Sequence, residues 1–476
     1  MDCKLRAKNC GGCPMLATEY AAQLKKKEAD VRALLGKYGP VSPIRGMETP
    51  YHYRNKVIST FAPAAGGKLT SGIYAARTHK VLPVESCLLQ DEVLDKVMLA
   101  VRAAANACRY QPFNEDKGTG LLRHCLLRRG VATGQVMVVL VTAQPVLPGA
   151  KNFVKALLAE AEKRGVPVTT VVQNYNPRRT SVVLGEDEKV LYGKGFILDT
   201  LCGKTYALSP RSFYQVNPVQ TAVLYGLAVD AAHLTGKEVV LDAYCGIGTI
   251  GLTASDKARQ VVGVEVNRDA VRDAIGNAKH NGVKNAHFFA ADATAWIREA
   301  ADAGQKADVV FMDPPREGST PAFIESVARM APKRVVYVSC NPETMARDLA
   351  LLTQKGYRAE GFTPVDMFPH SAHCETVCLL SKLNVKHHIE VEITMDELDL
   401  TAAESKATYD EIKAYVLEKF GFKVSQLYIA QIKRKCGIIE RKNYNQSKKE
   451  DAKVPKCPPE KEAAIMDALK HFQMIP

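Results

Sequence analysis

Short apolar segments alternate with amphipathic helical segments between residues 211 and 384. Helical patterns such as those at 268–281 and 343–355 separate most of the apolar segments. This alternation predicts a Rossmann-like, doubly wound α/β domain with a parallel sheet, because parallel strands are usually joined by a crossover helix. The predicted strands are 238–245, 260–267, 286–292, 307–314, 334–341 and 376–383. Ligands bind beyond the carboxyl ends of the strands in such sheets, so site residues are expected there.

The regions on either side of this domain have different patterns. Residues 1–210 contain a helical pattern at 17–37 and short β-like segments punctuated by Gly, Pro and Asn, which predicts a mainly antiparallel α+β domain. The β-like segments include 56–61, 135–142 and 169–175. Residues 386–476 predict a small helical domain, so the expected domains are 1–210, 211–384 and 386–476.

Composition and charge limit the cellular compartment and the class of binding partner that fit this chain. The chain has 476 residues and 13 cysteines, with no N-terminal apolar segment typical of a signal peptide and no apolar stretch long enough to span a membrane. Without an export signal, the cysteines argue against a disulfide framework and favour thiols, a metal or a reactive nucleophile. The net charge of +13 suits a polyanionic partner such as nucleic acid. We expect a cytoplasmic monomer that does not associate with membranes.

The segment "DAYCGIGTIG" (242–251) follows a predicted strand and precedes a predicted helix. Its Gly246, Gly248 and Gly251 have the G-x-G-x-x-G spacing, in which glycines let a ligand approach the backbone. Glu265 ends the next strand, where an acid can bind ribose hydroxyls. The motif predicts an adenosine cofactor, with a nicotinamide cofactor or a plain strand–helix turn as alternatives. Asp242 favours S-adenosylmethionine, because a carboxylate before the loop repels a pyrophosphate and attracts an ammonium group.

Cys340 ends a predicted strand in "YVSCNPETMARDL", and Glu375 lies among thiols and histidines in "HSAHCETVCLL". This pair fits methylation at C5 of a pyrimidine. C5 attacks a sulfonium methyl poorly until a thiolate adds to C6, and a base must afterwards remove the C5 proton. Cys340 is the candidate nucleophile and Glu375 the candidate base. A buried small hydrophobe is the alternative for Cys340, while His370 and His373 either line the site or pack.

Two aspartates end further strands. Asp313 lies in "MDPPREG" (312–318), a corner that adjoins the substrate base in many methyltransferases, with a structural Pro–Pro turn as the alternative. Arg316 stands where a related corner for amino-group methylation has an aromatic residue. Asp292 either accepts a hydrogen bond from an adenine amino group or caps the following helix.

Four cysteines form a second candidate site. Cys3, Cys10 and Cys13 have the spacing C-x6-C-x2-C, and Cys87 follows in "VLPVESCLLQ". Four thiolates can hold an iron–sulfur cluster or zinc, and the spacing does not choose between them. Unligated thiols are the third alternative.

Six motifs in order along residues 1–384 resemble those of the RNA (uracil-5-)-methyltransferase family, which includes the 23S rRNA and tRNA 5-methyluridine enzymes. The motifs are "RSFYQVN", "DAYCGIGTIG", "VEVN", "MDPPREG", "YVSCNPETMARDL" and "DMFPHSAHCETV". The resemblance implies an S-adenosylmethionine-dependent enzyme with Cys340 as nucleophile and Glu375 as proton acceptor. The residues that it implies as S-adenosylmethionine contacts are Gln215, Tyr244, Glu265, Asp292 and Asp313.

The resemblance also bears on the cysteines and on RNA binding. The rRNA branch of the family carries a [4Fe–4S] cluster on such a cysteine set, which implies a cluster with a structural role on Cys3, Cys10, Cys13 and Cys87. A β-barrel RNA-binding module normally precedes that cluster, whereas only two residues precede Cys3 here. We therefore expect RNA to be captured in another way.

The C-terminal region has a basic, helical pattern. Residues 407–438 show a helix, a turn at Gly421 and a second helix ending in three cations at 433–435, which resembles a helix-turn-helix. The stretch 419–456 contains 11 Lys and Arg against 3 Asp and Glu. The region either contacts RNA or DNA or forms a small helical cap with a solvated basic end.

The sequence thus predicts an enzyme that transfers a methyl group from S-adenosylmethionine to C5 of a uridine in RNA, with 23S rRNA as the expected substrate. The alternatives are a tRNA uridine C5 methyltransferase and a non-catalytic RNA-binding protein on the same fold. An NAD-dependent oxidoreductase would leave Cys340 and Glu375 unexplained.

Overall fold

The computed structural model describes residues 3–178, 180, 182–383, 409–436, 457–472 and 474–475. The chain divides into two compact units, Met1–Asn384 and Val385–Pro476. The larger unit contains two seven-stranded sheets and a two-stranded hairpin, and the smaller unit is helical in its described part. Among the described residues, no helix has the length and apolar character that a membrane crossing requires.

The first sheet is built from the N-terminal part of the chain. Its elements and their flanking helices are α1 (Tyr20–Leu35), β1 (Lys56–Pro63), β2 (Leu69–Tyr74), β3 (Val81–Pro83), α2 (Glu92–Ala107), β4 (Leu122–Arg129), β5 (Val136–Thr142), α3 (Ala150–Lys163), β6 (Thr170–Tyr175) and β7 (Asp187–Tyr192). The strand order is β3-β2-β1-β4-β5-β6-β7. All neighbouring pairs are antiparallel except β5 and β6, for which α3 provides the crossover. The sheet is therefore mainly antiparallel, as predicted.

Burial in this sheet follows from what covers each face. Val57 and Phe61 of β1 are buried in a core shared with α2 and α3, while Ile58 on the other face is exposed. Strand β5 is buried at every position. Its two faces belong to different cores, because helices cover one face and the following part of the chain covers the other. A continuous apolar run rather than an alternating one is the expected sequence for such a strand.

The second sheet follows a hairpin of β8 (Ile197–Leu201) and β9 (Lys204–Leu208). Its elements are α4 (Pro218–Ala231), β10 (Val239–Ala243), α5 (Thr249–Ala254), β11 (Gln260–Glu265), α6 (Arg268–His280), β12 (Ala286–Ala290), α7 (Ala293–Asp302), β13 (Val309–Met312), α8 (Pro321–Met330), β14 (Arg334–Ser339), α9 (Pro342–Gln354), β15 (Tyr357–Val365) and β16 (Glu375–Lys382). The order is β12-β11-β10-β13-β14-β16-β15, and β10 to β14 run parallel. The predicted doubly wound α/β fold is confirmed.

One end of this sheet differs from the prediction. The strand predicted at 376–383 is β16, which runs antiparallel to both β14 and β15, and β15 itself was not predicted. Only residues 366–374 connect β15 to β16, which is too short for a crossover helix, so the two strands pair as antiparallel neighbours. Because β16 is reversed, it begins at the edge where the parallel strands end. We call this edge the ligand edge.

Helix α1 packs against the second sheet, although it precedes the first sheet in sequence. Its Val31 and Leu35 are buried in the same core as Val310 and Tyr337 of β13 and β14. The buried residues of α1 recur every four positions, so one face of the helix is buried, with Gln23 and Lys27 at its N-terminal end and Val31 and Leu35 at its C-terminal end. The N-terminal helix thereby reaches the region around the end of β14.

The described part of the smaller unit contains α10 (Tyr409–Phe420), α11 (Gln426–Lys435) and α12 (Pro459–His471), which share an apolar core. Helices α10 and α11 have the predicted helix–turn–helix order. The basic end of α11 is used partly within the unit, since Lys433 Nζ lies 4.5 Å from the ring centroid of Tyr409 and Lys435 pairs with Glu462. The rest of the predicted basic stretch, 437–456, lies outside the described residues.

Candidate active site

The loop between β10 and α5 turns sharply at the ligand edge. Tyr244, Gly246 and Gly248 have positive φ angles of 65°, 55° and 83°. A Cβ atom on Gly248 would lie 3.0 Å from the Phe288 ring, so both space and backbone conformation favour glycine there. At Gly246, no atom of the described residues lies within 4 Å of the Cβ position. The loop backbone is therefore open to a ligand on the side of Gly246.

Two carboxylates brace this loop. Glu265, at the end of β11, accepts hydrogen bonds from the N–H of Gly246 at 3.2 Å and of Asn267 at 2.9 Å. Asp242 Oδ2 accepts one from the N–H of Gly251 at 2.8 Å. Burial is the main cause that raises the pKa of Asp242 to about 7. One Asp242 oxygen is thus hydrogen-bonded to the backbone of Gly251. This contact was not predicted, since Asp242 was expected to attract an ammonium group of the cofactor.

Tyr244 belongs to this loop, and Asp292 lies between β12 and α7. The Tyr244 hydroxyl is 3.5 Å from Ser319 Oγ, and its ring packs on Phe323 with centroids 5.1 Å apart. Asp292 caps α7 by accepting a hydrogen bond from the Ala295 N–H at 2.9 Å. The pKa of Tyr244 is raised mainly by burial and also by the charge of Asp292, so these two side chains are close to each other. The helix-cap alternative for Asp292 is observed and leaves its other oxygen for a further contact.

Gln215 and Asp313 approach from neighbouring elements. Gln215 is buried between β9 and α4, two residues before Asn217. Asn217 donates a hydrogen bond to the carbonyl of Met367 at 2.9 Å, which ties the Gln215 segment to the 366–374 loop. Asp313 directly follows β13, where burial raises its pKa to about 7. Both segments thus adjoin the ligand edge.

Cys340 and Glu375 lie opposite each other at the ends of β14 and β16. Ser339 pairs with Thr376 in the antiparallel register, and one step further the same register sets Cys340 opposite Glu375. Directly opposite residues of an antiparallel pair place their side chains on the same face. The two groups predicted to act together are therefore brought together, and the unpredicted reversal of β16 is the cause.

The electrostatic environment holds protons on this pair. Burial, and then the charges of Glu375 and Asp313, raise the pKa of Cys340 to about 11. Burial and the charge of Asp313 raise the pKa of Glu375 to about 8. The Arg316 guanidinium acts in the opposite direction on both groups. A carboxyl group with a pKa near 8 suits proton abstraction, because a base works best when its pKa lies near the operating pH.

Cys340 opens into a cavity of about 610 Å³, a volume typical of small-molecule sites. Helix α1 forms one wall through residues such as Leu34, and Arg316 and His373 contribute to the other. His370 instead packs away from the cavity, stacked on Tyr51 with ring centroids 4.7 Å apart. The contribution of α1 was missed by sequence reasoning, because its helical pattern does not say which sheet it covers.

A buried ion pair joins α1 to the loop that precedes Glu375. Lys27 Nζ lies 2.5 Å from Asp366 Oδ1, and the two side chains are 1% and 0% exposed. Tyr20 donates a hydrogen bond to Asp366 Oδ2 at 2.8 Å, and Lys27 also donates to the Phe368 carbonyl at 3.1 Å. Sequence reasoning missed this network, because its members are far apart along the chain. It fixes the 366–374 loop from the side of the cavity.

The four N-terminal cysteines come close together. Cys3, Cys10, Cys13 and Cys87 are all partly buried and free of disulfides. Burial raises the pKa of Cys13 to about 12, and the charges of the other three thiols add to the effect. Burial also raises the pKa of Cys87, while the backbone N–H groups of Leu89 and Gln90 act in the opposite direction. In the part of the chain that the structure describes, no group of three or more His, Cys, Asp or Glu side chains has the geometry of a metal site.

The glycine loop is braced by acids rather than by cations, which suits a nucleoside cofactor without phosphates. A glycine loop held by carboxylates at the strand ends of a doubly wound sheet is typical of S-adenosylmethionine-dependent methyltransferases. The protein is an enzyme of this class. The open space at the Gly246 Cβ position and the Glu265 carboxylate beside it are the two features of the loop on which this assignment rests.

Comparisons with known proteins give the family. The tRNA (Uracil-5-)-methyltransferase family model matches residues 182–383. An uncharacterized RNA methyltransferase of Halalkalibacterium halodurans is 42% identical over 381 residues, which cover 79% of this chain and 82% of that protein. A homologue from Clostridium tetani, also an uncharacterized RNA methyltransferase, is 41% identical over 376 residues, covering 78% and 81%.

A solved structure is also similar. The Pyrococcus abyssi tRNA (uracil-54, C5)-methyltransferase, in complex with S-adenosyl-L-homocysteine, superposes with a TM-score of 0.64 at 27% identity, covering 78% of this chain and 86% of that chain. The chain belongs to the RNA (uracil-5-)-methyltransferase family. The predicted family and the predicted class of enzyme are confirmed.

Proposed function

We propose that this enzyme methylates C5 of a uridine in 23S rRNA through a covalent adduct between Cys340 and C6 of the base. The observation that carries the mechanism is the antiparallel register that sets Cys340 opposite Glu375 at the ligand edge. A thiol and a carboxyl group on one face can act on the two adjacent ring carbons C6 and C5. The cavity at Cys340 has the volume to hold a nucleoside.

The steps assign one role to each group. The Cys340 thiol loses its proton to solvent, and the thiolate adds to C6 while the C5=C6 electron pair moves to the O4 enolate. S-adenosylmethionine supplies the methyl group, which C5 accepts. Glu375 then removes the proton from C5, and the electrons of that bond restore C5=C6 and expel the thiolate. The products are 5-methyluridine, S-adenosylhomocysteine and one proton.

We propose that the glycine loop and its neighbours hold the cofactor. Gly246 has open space at its Cβ position, and Glu265 is fixed beside it by a hydrogen bond. Both features fit an adenosyl group, whose ribose hydroxyls the carboxylate would bind. The full set of proposed contacts is Gln215, Tyr244, Gly246, Gly248, Glu265, Asp292 and Asp313.

Two substitutions test the covalent mechanism. Cys340→Ala should abolish turnover and leave S-adenosylmethionine binding unchanged, because the loop residues hold the cofactor. Glu375→Gln should trap a protein–RNA adduct that survives denaturation, because C5 keeps its proton and the thiolate is not expelled. Cys374→Ala, which removes the buried neighbouring thiol, is the matched control and should retain turnover. Substantial methyl transfer by Cys340→Ala, or rapid turnover by Glu375→Gln, would contradict the assignment.

The substrate is the second part of the proposal. The N-terminal cysteine set resembles that of the rRNA branch, which supports 23S rRNA. The similarity to an enzyme whose name specifies uracil-54 of tRNA favours tRNA as the second candidate. Mapping 5-methyluridine in total RNA from a strain lacking the gene decides between them. A missing methyl group in tRNA alone would contradict the rRNA assignment, and an unchanged map in both RNAs would favour a non-catalytic RNA-binding role.

We also propose that Cys3, Cys10, Cys13 and Cys87 hold a [4Fe–4S] cluster with a structural role. The four thiols are close enough to affect one another electrostatically, and the N–H groups at Cys87 are donors of the kind that stabilise ligating sulfurs. When bound, the cluster would cross-link the N-terminal segment to the first sheet.

The cluster proposal has a direct chemical test. Protein produced with iron should be brown and contain iron and labile sulfide. Cys10→Ser should lose both the colour and the iron. Cys108→Ser, which removes another partly exposed thiol, should keep them. Colourless wild-type protein with one zinc per chain would overturn the cluster.

A further inference from the structure

The loop that leads into Glu375 decides where its carboxyl group lies. Proton abstraction from C5 needs this group within hydrogen-bond reach of the proton, and a displacement of about 1 Å can slow an enzyme reaction by about a hundredfold. Glu375 begins β16, directly after the 366–374 loop. The proposed mechanism therefore depends on the contacts that hold this loop.

His370 has an unusual backbone conformation in the middle of the loop. Its φ is 65°, in the left-handed region that disfavours residues with a Cβ atom, and the residue is only 2% exposed. A buried residue keeps such a conformation only when its surroundings hold it there, and these residues are concentrated at functional sites. The groups that hold His370 thus fix the conformation of the loop.

Gln23 of α1 holds His370 with both ends of its side-chain amide. Gln23 Oε1 accepts a hydrogen bond from the His370 backbone N–H at 3.1 Å, and Gln23 Nε2 lies 3.1 Å from His370 Nδ1. Burial is the main cause that lowers the pKa of His370, which favours the neutral ring with a nitrogen free to accept from the amide. One side chain thereby fixes both the backbone and the ring of His370.

The same amide also binds the segment that precedes α1. Gln23 Nε2 donates to the Thr18 carbonyl at 2.8 Å and to the Met15 carbonyl at 3.1 Å. The Met15 N–H in turn donates to the His370 carbonyl at 3.1 Å. The N-terminal segment, Gln23 and His370 therefore form a closed set of hydrogen bonds.

A hydrogen-bonded turn connects His370 to Glu375. Ser371 Oγ donates to the Phe368 carbonyl at 2.8 Å and accepts from the His373 N–H at 3.3 Å. Only four residues separate His370 from Glu375. Because the connection is short and internally bonded, a shift of His370 is carried to the carboxyl group.

Packing alone does not explain an amide at position 23. Gln23 is 0% exposed, and burying an amide is costly unless its polar atoms are hydrogen-bonded. Both polar atoms of the side chain make these bonds, to His370 and to the N-terminal segment. An apolar residue would pack on this face without them, as Val31 and Leu35 do further along the helix.

We infer that Gln23 is a positioning residue for the methyl transfer, and that it acts through His370 to hold Glu375 where the C5 proton is removed. The inference rests on the proposed role of Glu375 as proton acceptor. Gln23 exchanges no atom with the substrate, since the C5 proton goes to Glu375. Loss of Gln23 should therefore slow the last step, in which the thiolate is expelled, and leave the addition of Cys340 to C6 intact.

Gln23→Met tests this role with a side chain of similar length that lacks the amide. The value of kcat should fall by at least about tenfold, while the Kd for S-adenosylmethionine and the rate of Cys340 modification by iodoacetamide stay unchanged. A protein–RNA adduct that survives denaturation should accumulate, and hydrogen exchange in the 366–374 loop should become faster without RNA. Gln354→Met, at the exposed end of α9, is the matched control and should behave like the wild type.

Gln23→Glu gives a second test within one protein. A protonated glutamate has the shape of glutamine and keeps one donor, whereas an ionised glutamate only accepts and would face two carbonyls and His370 Nδ1. Burial favours the protonated form, so the ratio of its kcat to that of the wild type should be highest near about pH 6 and fall towards about pH 9.

The positioning role of Gln23 is overturned if Gln23→Met turns over like the wild type, or if it loses activity without accumulating adduct. If Gln23→Met does not fold, the pH dependence of Gln23→Glu decides, and a ratio that stays constant across that range overturns the role. Failure of the proposed mechanism is seen separately, as methyl transfer by Cys340→Ala or rapid turnover by Glu375→Gln.

Discussion

Replacing Lys27 with methionine tests how the 366–374 loop holds Glu375 in position. Methionine keeps most of the apolar stem but leaves the buried Asp366 without its cation and the Phe368 carbonyl without its donor. Breaking one partner out of a buried ion pair costs about 3–5 kcal/mol, because the remaining charge stays desolvated. Asp366 keeps its hydrogen bond from Tyr20, which limits the rearrangement. We expect a loss of this size in the stability of the larger unit.

The helix provides a matched control. Lys26→Met makes the same chemical change one residue earlier. The ion pair that it breaks is exposed, since the side chains of Lys26 and Asp30 are 63% and 60% exposed. Exposed pairs contribute at most about 1 kcal/mol, so this variant should be nearly as stable as the wild type. Asp366→Asn on the Lys27→Met background removes the unpaired charge and should recover much of the lost stability.

The assay combines urea unfolding with steady-state kinetics for the wild type, the two lysine variants, Asp366→Asn and the double variant. Lys27→Met should also lower kcat, because the loop that it releases leads directly into Glu375, while the Kd for S-adenosylmethionine should be unchanged. If Lys27→Met is no less stable than Lys26→Met, or if the effects of Lys27→Met and Asp366→Asn simply add, the buried pair does not hold the loop.

Three further predictions follow from the site and the domain division. Gly246→Ala should keep the fold but lose about 1–2 kcal/mol of stability, because its φ of 55° lies in the left-handed region that disfavours a residue with a Cβ atom. It should bind S-adenosylmethionine at least about tenfold more weakly in calorimetry, since the added Cβ meets only open space in the protein and would occupy the ligand side. Equal affinity would contradict the loop assignment. The contribution of Glu375 to stability should fall as the pH rises from about 5 to about 8, because its raised pKa makes the folded state bind this proton more tightly than the unfolded state. Glu375→Gln should therefore lose less stability than the wild type over that range in denaturation measured at several pH values, and an identical pH dependence would contradict the raised pKa. Truncation after Lys386 should leave the fold and cofactor binding intact but weaken RNA binding. The slope of log affinity against log salt concentration should flatten by several units, since the stretch 419–456 carries 11 cations and 3 acids. Unchanged affinity and salt slope would show that this region does not bind RNA.

Local sequence patterns were enough to predict most of the methyltransferase sheet and the positions of its candidate site residues at the strand ends. A strand ending in a glycine loop, an acid at the end of the next strand and a cysteine before a helix are each set within a few residues. Gly246, Gly248 and Glu265 were therefore found at the ligand edge where the pattern predicted them. The helix-turn-helix order of α10 and α11 was predicted for the same reason, since helical periodicity and a turn at glycine are local signals.

Tertiary contacts decided which of these elements meet. The reversed β16 sets Cys340 opposite Glu375, and this depends on a pairing between strands that no periodicity encodes. Lys27 and Asp366, 339 positions apart, form a pair only because α1 packs on the second sheet. The sequence by itself determined the elements and the reactive groups, because their signals are short-range. The folded chain alone determined how the thiol, the carboxyl group and the wall of the cavity face one another, because strand order and helix packing depend on burial across the whole larger unit.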